Sequence, residues 1–231
     1  MSAAIPFSEA PVERHPFGWL AAVSLPAGLE PVPAAVLARL EPAEAARART
    51  LRGRRQIEWT GGRLALRAAA RAAGVRLPAV LSGERGEPLL PGGIQASISH
   101  KRTIALALVA GGEATLGLDV EELAPPRPAI AGRILREEER AAVEALPEAA
   151  RWPAIVARFA AKEAIYKAIH PHVRRYVAFA EASVSLEPPA ASLHLEKGEG
   201  PFRLALDLRE RAGLVVAAVQ ISLQPAASVG K

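Results

Sequence analysis

Short runs rich in Val, Ile and Leu at residues 17–25, 95–100, 103–110 and 115–121 read as strands. Four more runs, at 182–186, 192–196, 202–208 and 214–223, have the same character. Residues 33–73 carry a helical repeat that is interrupted at Pro42 and Gly53. The stretch 56–73 is the stronger helix, closed by Gly74 and then Pro78. Residues 136–145 and 152–169 predict two further helices, the second with Ile155, Phe159, Tyr166 and Ile169 along its apolar stripe and Lys162 within it. Residues 81–93 form a loop dense in Gly and Pro, and Pro125-Pro126-Arg127-Pro128 a stiff connection. The polar corner Lys101-Arg102 between two strands predicts a hairpin. Gly111-Gly112 predicts a seam that divides the chain into 1–112 and 113–231, each an α+β half with helices and a small antiparallel set of strands. No sequence repeat relates the halves.

The pattern also sorts the polar residues. On a strand 115–121, Leu118 and Val120 face the core, and Asp119 and Glu121 leave the other face together, toward a cleft. On a helix 152–169, Glu163 and Lys167 are four apart and share a face. Taken alone, the strand is an acidic edge and the helix pair a solvated Glu–Lys contact. Brought together, three carboxylates repel unless a cation lies among them. Hard oxygen donors without His or Cys suit Mg²⁺, whose usual companions are substrate phosphates. The chain therefore reads as an enzyme acting on a phosphate or diphosphate. His100 ends a strand beside the hairpin corner, where a side chain can reach a ligand. Ser97 and Ser99 point away from it, to the opposite face. Arg85 lies in the glycine-rich loop, and Arg63, Arg67 and Arg71 recur at helical spacing, either as a solvated basic face or as a phosphate clamp.

Composition narrows the field. With 231 residues, half of them hydrophobic but only 4% aromatic, the core must be aliphatic. The absence of cysteine excludes disulfides, thiolate metal sites and thiol catalysis. A formal charge of +5, carried mainly by arginine, suits an acidic small molecule or an acidic protein partner. The scarcity of aromatic stacking residues opposes nucleic-acid binding. Residues 1–10 lack a signal-peptide pattern and no apolar run is long enough to span a bilayer, so a cytoplasmic protein is expected.

Four ordered motifs resemble one family. They are Arg54-Arg55-x-x-Glu58-Trp59-x-x-Gly62-Arg63, then Gly86-Glu87-Pro88 running into Ser97-Ile98-Ser99-His100, then Gly117-Leu118-Asp119-Val120-Glu121, and finally Phe159-Ala160-Ala161-Lys162-Glu163-Ala164-x-Tyr166-Lys167. Together they resemble the Sfp-type 4′-phosphopantetheinyl transferases, in the branch typified by the enterobactin synthetase phosphopantetheinyl transferase. The resemblance implies a pseudo-dimer of two similar α+β halves with the active site between them. It implies coenzyme A as co-substrate and an apo acyl or peptidyl carrier protein, docked by an acidic helix, as acceptor. It also implies a monomer that needs neither nucleic acid nor membrane. By motif position, Asp119, Glu121 and Glu163 would hold Mg²⁺. Lys162, Lys167, Ser99 and His100 would lie along the coenzyme A phosphates. Arg54, Arg55, Arg85, Gly86, Glu87 and Pro88 would approach the 3′-phosphate and adenine. Glu163 and Lys167 would be catalytic, as base and as stabiliser of the departing phosphate. Glu87 departs from the Gly-Lys-Pro of surfactin-type members, which leaves Arg85 or the helix arginines to replace that lysine. A non-catalytic coenzyme A or carrier-binding module is the competing reading, opposed by the intact Asp119, Glu163 and Lys167.

Overall fold

The structure, a computed structural model, describes residues 6–28 and 31–224. Residues 1–5, on which the reading of the amino terminus partly rests, lie outside them. The first half runs β1 (Glu13–His15), β2 (Gly18–Ser24), α1 (Ala34–Leu37), α2 (Pro42–Thr50), α3 (Gly53–Ala72), β3 (Ile94–Lys101) and β4 (Ile104–Gly111). The second runs β5 (Thr115–Glu122), a 3₁₀ turn and α4 (Ala131–Ile134), α5 (Glu137–Glu144), α6 (Glu148–Val173), a second 3₁₀ turn at Phe179–Glu181, β6 (Ala182–Leu186), β7 (Pro189–Leu193), β8 (Phe202–Arg211) and β9 (Leu214–Leu223).

The α+β class holds. The expected breaks at Pro42 and Gly53 are the starts of two helices, where a residue lacking an N–H or a residue at φ +52° is easily accommodated. Boundaries move most at two elements. The helix expected at 152–169 runs from Glu148 to Val173, and Pro171 in its final turn leaves most of the ladder intact. The strand expected at 192–196 is Pro189–Leu193, paired tightly with β6 through Leu186 and Pro189. The short edge strand β1 had no alternating signal to reveal it.

The strands form a sheet of order β1-β2-β4-β3, a second of order β5-β9-β8, and the separate pair β6-β7. Alternation along the strands places three cores. Ala21, Val23, Ala105, Ala107 and Val109 face α3, where Ile57, Leu64 and Ala65 are buried. Val215, Ala217, Val219 and Ile221 face α6. The intervening residues Leu106, Leu108, Leu116, Leu118, Val120 and Ala218 fill the space between the two sheets. Helix, sheet, sheet and helix thus stack in layers, with β4, β5 and β9 buried on both faces.

The sheets meet at two corners. No backbone ladder joins β3 to β5 among the described residues; instead Leu118 N–H donates to Ser97 Oγ (2.9 Å) and Val120 N–H to Ser99 Oγ (3.3 Å). At the other corner the buried His15 of β1 meets Asp207 of β8 at 3.1 Å. Its Nδ1 accepts from Phe17 N–H, so Nε2 carries the proton given to Asp207. Among the described residues no helix is long and apolar enough to cross a membrane.

Candidate active site

The centre of the site is set by one missing side chain. A Cβ on Gly117 would lie 1.8 Å from Ala164 O, so α6 rests directly on β5 at this point. Ala160, Ala161, Ala164 and Ala168 are fully buried along that contact. Glycine on the strand and alanines on the helix permit backbone-to-backbone approach, which larger residues would prevent. The approach carries Lys167 to Asp119: its Nζ donates to Asp119 Oδ1 at 2.7 Å and to Leu118 O at 2.9 Å. Ser99 Oγ donates to the same Oδ1 at 2.9 Å. Lys101, at the hairpin corner, pairs with Glu121 at 2.7 Å.

The carboxylates are unevenly committed. Glu163 is half-buried, and among the described residues its side chain has no hydrogen-bond or ion-pair partner. Burial pushes its carboxyl above the ordinary range, and the charge of Asp119 adds to the shift. Burial raises Glu121 as well, against the hydrogen bond from Lys101. Asp119 Oδ2 is buried with no partner. A buried carboxylate oxygen without a donor is costly unless a cation or water completes it. Hard oxygen donors, one of them an orphan, fit Mg²⁺. Among the described residues no three acidic or His side chains stand in a finished ligating arrangement; Lys101 pairs with Glu121 and Lys167 with Asp119.

A cleft of about 990 Å³ opens beside this group, near the upper limit for small-ligand sites. One wall is α3 with Arg55, Glu58 and Arg63, β3 with His100, and the loop that carries Arg85, Gly86, Glu87 and Pro88. The other is α6 with Tyr166, Lys167, His170 and Arg174. Lys167 is common to the cleft and the acid group. His100 lies 3.7 Å from Glu58, and its pKa is lowered, chiefly by burial and also by Lys167, Arg55 and Arg54. It is therefore neutral near pH 7 and offers a hydrogen bond rather than a charge. Glu87 folds back to accept from the Arg85 N–H at 3.0 Å, closing its own loop. The Arg85 guanidinium reaches across to His170 Nε2 at 3.0 Å; arginine has only donors, so that nitrogen accepts.

Three expected ligand contacts are not brought to the cleft. Lys162 faces the opposite side of α6, its side chain 1% exposed and paired with Glu139 at 2.6 Å. Ser99 spends its hydroxyl on Asp119 and Val120 and so positions the acid. Arg54 is consumed in tying α3 to carbonyls at Pro26, Lys101 and Arg102 and to Glu58. The helix arginines are likewise structural. Arg63 donates to Val80 O and Ser82 and stacks on Trp59, and Arg67 pairs with the buried Glu44. Conversely, His170 and Arg174, beyond the helix end assigned at 169, escaped the sequence reading, and the pattern places Tyr166 in the apolar stripe although the three recur every four residues along the cleft.

Comparison with known proteins agrees with these motifs. The model of the 4′-phosphopantetheinyl transferase superfamily matches residues 115–219, and that of the 4′-phosphopantetheinyl transferase N-terminal domain matches residues 42–110. The chain belongs to the 4′-phosphopantetheinyl transferase superfamily. Within that superfamily it is 36% identical to enterobactin synthase component D of Salmonella typhimurium over 156 residues, 64% of this chain and 63% of the relative. It is 32% identical to the 4′-phosphopantetheinyl transferase PptT of Mycobacterium tuberculosis over 117 residues, 49% of this chain and 51% of that protein. The matched region thus spans less than two thirds of these relatives' length. A crystal structure of holo-(acyl-carrier-protein) synthase from Bacillus anthracis in complex with CoA (3′,5′-ADP) aligns with 47% of this chain and 96% of its own, at 25% identity and a TM-score of 0.40.

Proposed function

We propose that the chain is a 4′-phosphopantetheinyl transferase, moving the phosphopantetheine arm of coenzyme A to a serine of an apo acyl or peptidyl carrier protein. The observation that carries this reading is the contact of β5 and α6 at Gly117 and Ala164, which sets Lys167 on Asp119 beside a partnerless Glu163 at the edge of a basic cleft. Asp119, Glu121 and Glu163 are the residues that would hold Mg²⁺, which when bound supplies charge neutralisation and orientation of the diphosphate.

The chain's own groups have separate tasks. Arg55, Arg85 and His100 bind and orient the nucleotide end of coenzyme A. The carrier serine attacks the phosphorus next to the pantetheine; a new P–O bond forms as the bond to the departing adenosine 3′,5′-bisphosphate breaks. Phosphoryl transfer asks for positioning and charge stabilisation more than covalent help. Glu163, raised by burial, takes the serine proton directly or through a water. Lys167 faces the charge that grows on the leaving phosphate. The pseudo-dimer is supported by the shared build of the halves, a long helix on an antiparallel sheet. A cytoplasmic monomer follows from this reading.

Purified protein with Mg²⁺ and coenzyme A should add one phosphopantetheine to an apo carrier protein, read by intact-mass spectrometry. A panel of acyl and peptidyl carriers also reports which class is preferred. No mass shift with any member overturns the proposal.

A further inference from the structure

Helix α6 is buried on two sides that work differently. Against β5 it presents alanines, which permit close approach, and Val156, Ile165 and Ile169 add apolar packing with β9; these apolar side chains supply no directed bond. On the far side lies a buried ion pair with directed bonds. Lys162 Nζ donates to Glu139 Oε2 (2.6 Å), Ile134 O (2.8 Å) and Phe179 O (3.1 Å), which uses all of its protons. Glu139 also accepts from Arg136 N–H (2.8 Å) and Val184 N–H (2.7 Å). One ion pair thus ties α6 to the end of α4, the start of α5, the Phe179 turn and β6. A second buried cation, Arg158, stands one turn earlier in the field of Glu139.

We propose that Glu139 and Lys162 are positioning residues for the transfer: their bond network fixes the roll of α6 so that Glu163 and Lys167 face Asp119. The inference rests on the function proposed above. Buried ion pairs add little net stability compared with apolar residues of equal volume, but they impose geometry that apolar packing does not. Glu163 follows Lys162 directly, so any roll of the helix at Lys162 displaces the partnerless carboxylate with it. Misplacement of a reacting group by about 1 Å can cost a hundredfold in rate.

The test is Lys162→Met, which leaves Glu139 still facing the Arg158 cation. Its kcat should fall roughly tenfold or more, with the KM for coenzyme A held within about twofold. Unchanged kcat overturns the inference. A rise in KM that accounts for the loss also overturns it, because Lys162 would then be a ligand contact. If Lys162→Met does not fold, the charge-neutral pair Glu139→Gln with Lys162→Met is read in the same way. Failure of both to fold overturns the inference as well, leaving the pair a stability element alone. Absence of transfer by the unsubstituted chain instead overturns the proposed function, and this inference with it.

Discussion

The two long helices, α3 and α6, pack on their sheets by opposite devices and use their charges for opposite ends. In α3 the small residues are on the helix: a Cβ on Gly61 would meet the end of the Leu25 side chain, at 2.2 Å. In α6 the helix supplies alanines, and the glycine is on the strand, where a Cβ would meet backbone. Arg54, Arg63 and Arg67 of α3 are absorbed by carbonyls, Glu58, Ser82 and Glu44. Lys167 of α6 is bound to the acid group and still lines the cleft. Charged residues at helical spacing therefore had two meanings in one chain. All are bonded to acids, carbonyls or hydroxyls; what separates Lys167 from Arg54 and Arg67 is that the bonded lysine still borders the cleft.

The contrast can be broken experimentally. Glu44 is fully buried and accepts from Arg67 (2.7 Å) and Val80 N–H (2.9 Å). Glu44→Ala should cost about 3–5 kcal/mol in urea unfolding, because it leaves the buried Val80 N–H without its acceptor and takes from Arg67 the nearer of its two carboxylates, while the activity of the molecules that remain folded is unchanged. Gly117→Ala should cost about 3 kcal/mol, since the blocking atom is a helix carbonyl, and should abolish transfer. Gly61→Ala should cost less than about 1 kcal/mol, because a leucine end can move aside and alanine is the better helix former. Lys167→Ala is the complement of Glu44→Ala: transfer should fall roughly a hundredfold, with a smaller loss of stability than Glu44→Ala because Ser99 still donates to Asp119. Equal damage to fold and activity in both variants would erase the distinction between the helices.

A smaller effect concerns the corner where the sheets meet. Burial holds the His15 pKa below its ordinary value, against the pull of Asp207. The neutral ring is the folded form, with Nδ1 already accepting from Phe17. A base with a lowered folded pKa contributes stability that is complete above its unfolded value near 6.5 and is lost as pH falls through its folded value. The unfolding midpoint should therefore decline from pH 7 toward pH 5, and His15→Gln should flatten part of that decline. The smallest effect is expected at the exposed Arg71–Glu9 pair, where Arg71→Ala should change stability by about 0.5 kcal/mol or less.

Much of this was legible before any coordinates, and the reasons differ by residue. The strands of both sheets other than β1 and the stop signals around α3 follow from local pattern, and so does the placement of Glu163 and Lys167 on one face of α6. Lys162 was misassigned although its sequence held the correction. Five residues on a helix correspond to a rotation of roughly 140°, so Lys162 and Lys167 could not both face one cleft. Ser99 and Arg54 were misassigned for a different reason: what consumes them comes from Asp119, Pro26 and Arg102, and only the tertiary arrangement brings these near. Glu139 was invisible because a glutamate in the first turn of a helix ordinarily faces water, and nothing local says that β6 and α6 close over it.

The joint between β3 and β5 bears on how such a molecule could be recombined. On the β5 side the donors are main-chain N–H groups, which every residue except proline supplies. On the β3 side only two hydroxyls are asked for, at Ser97 and Ser99. An amino-terminal half taken from another member of the superfamily could be grafted onto this β5 if it carried hydroxyls at those two places and an apolar inner face. The hybrid would inherit one wall of the cleft from the donor and keep its acids from the host.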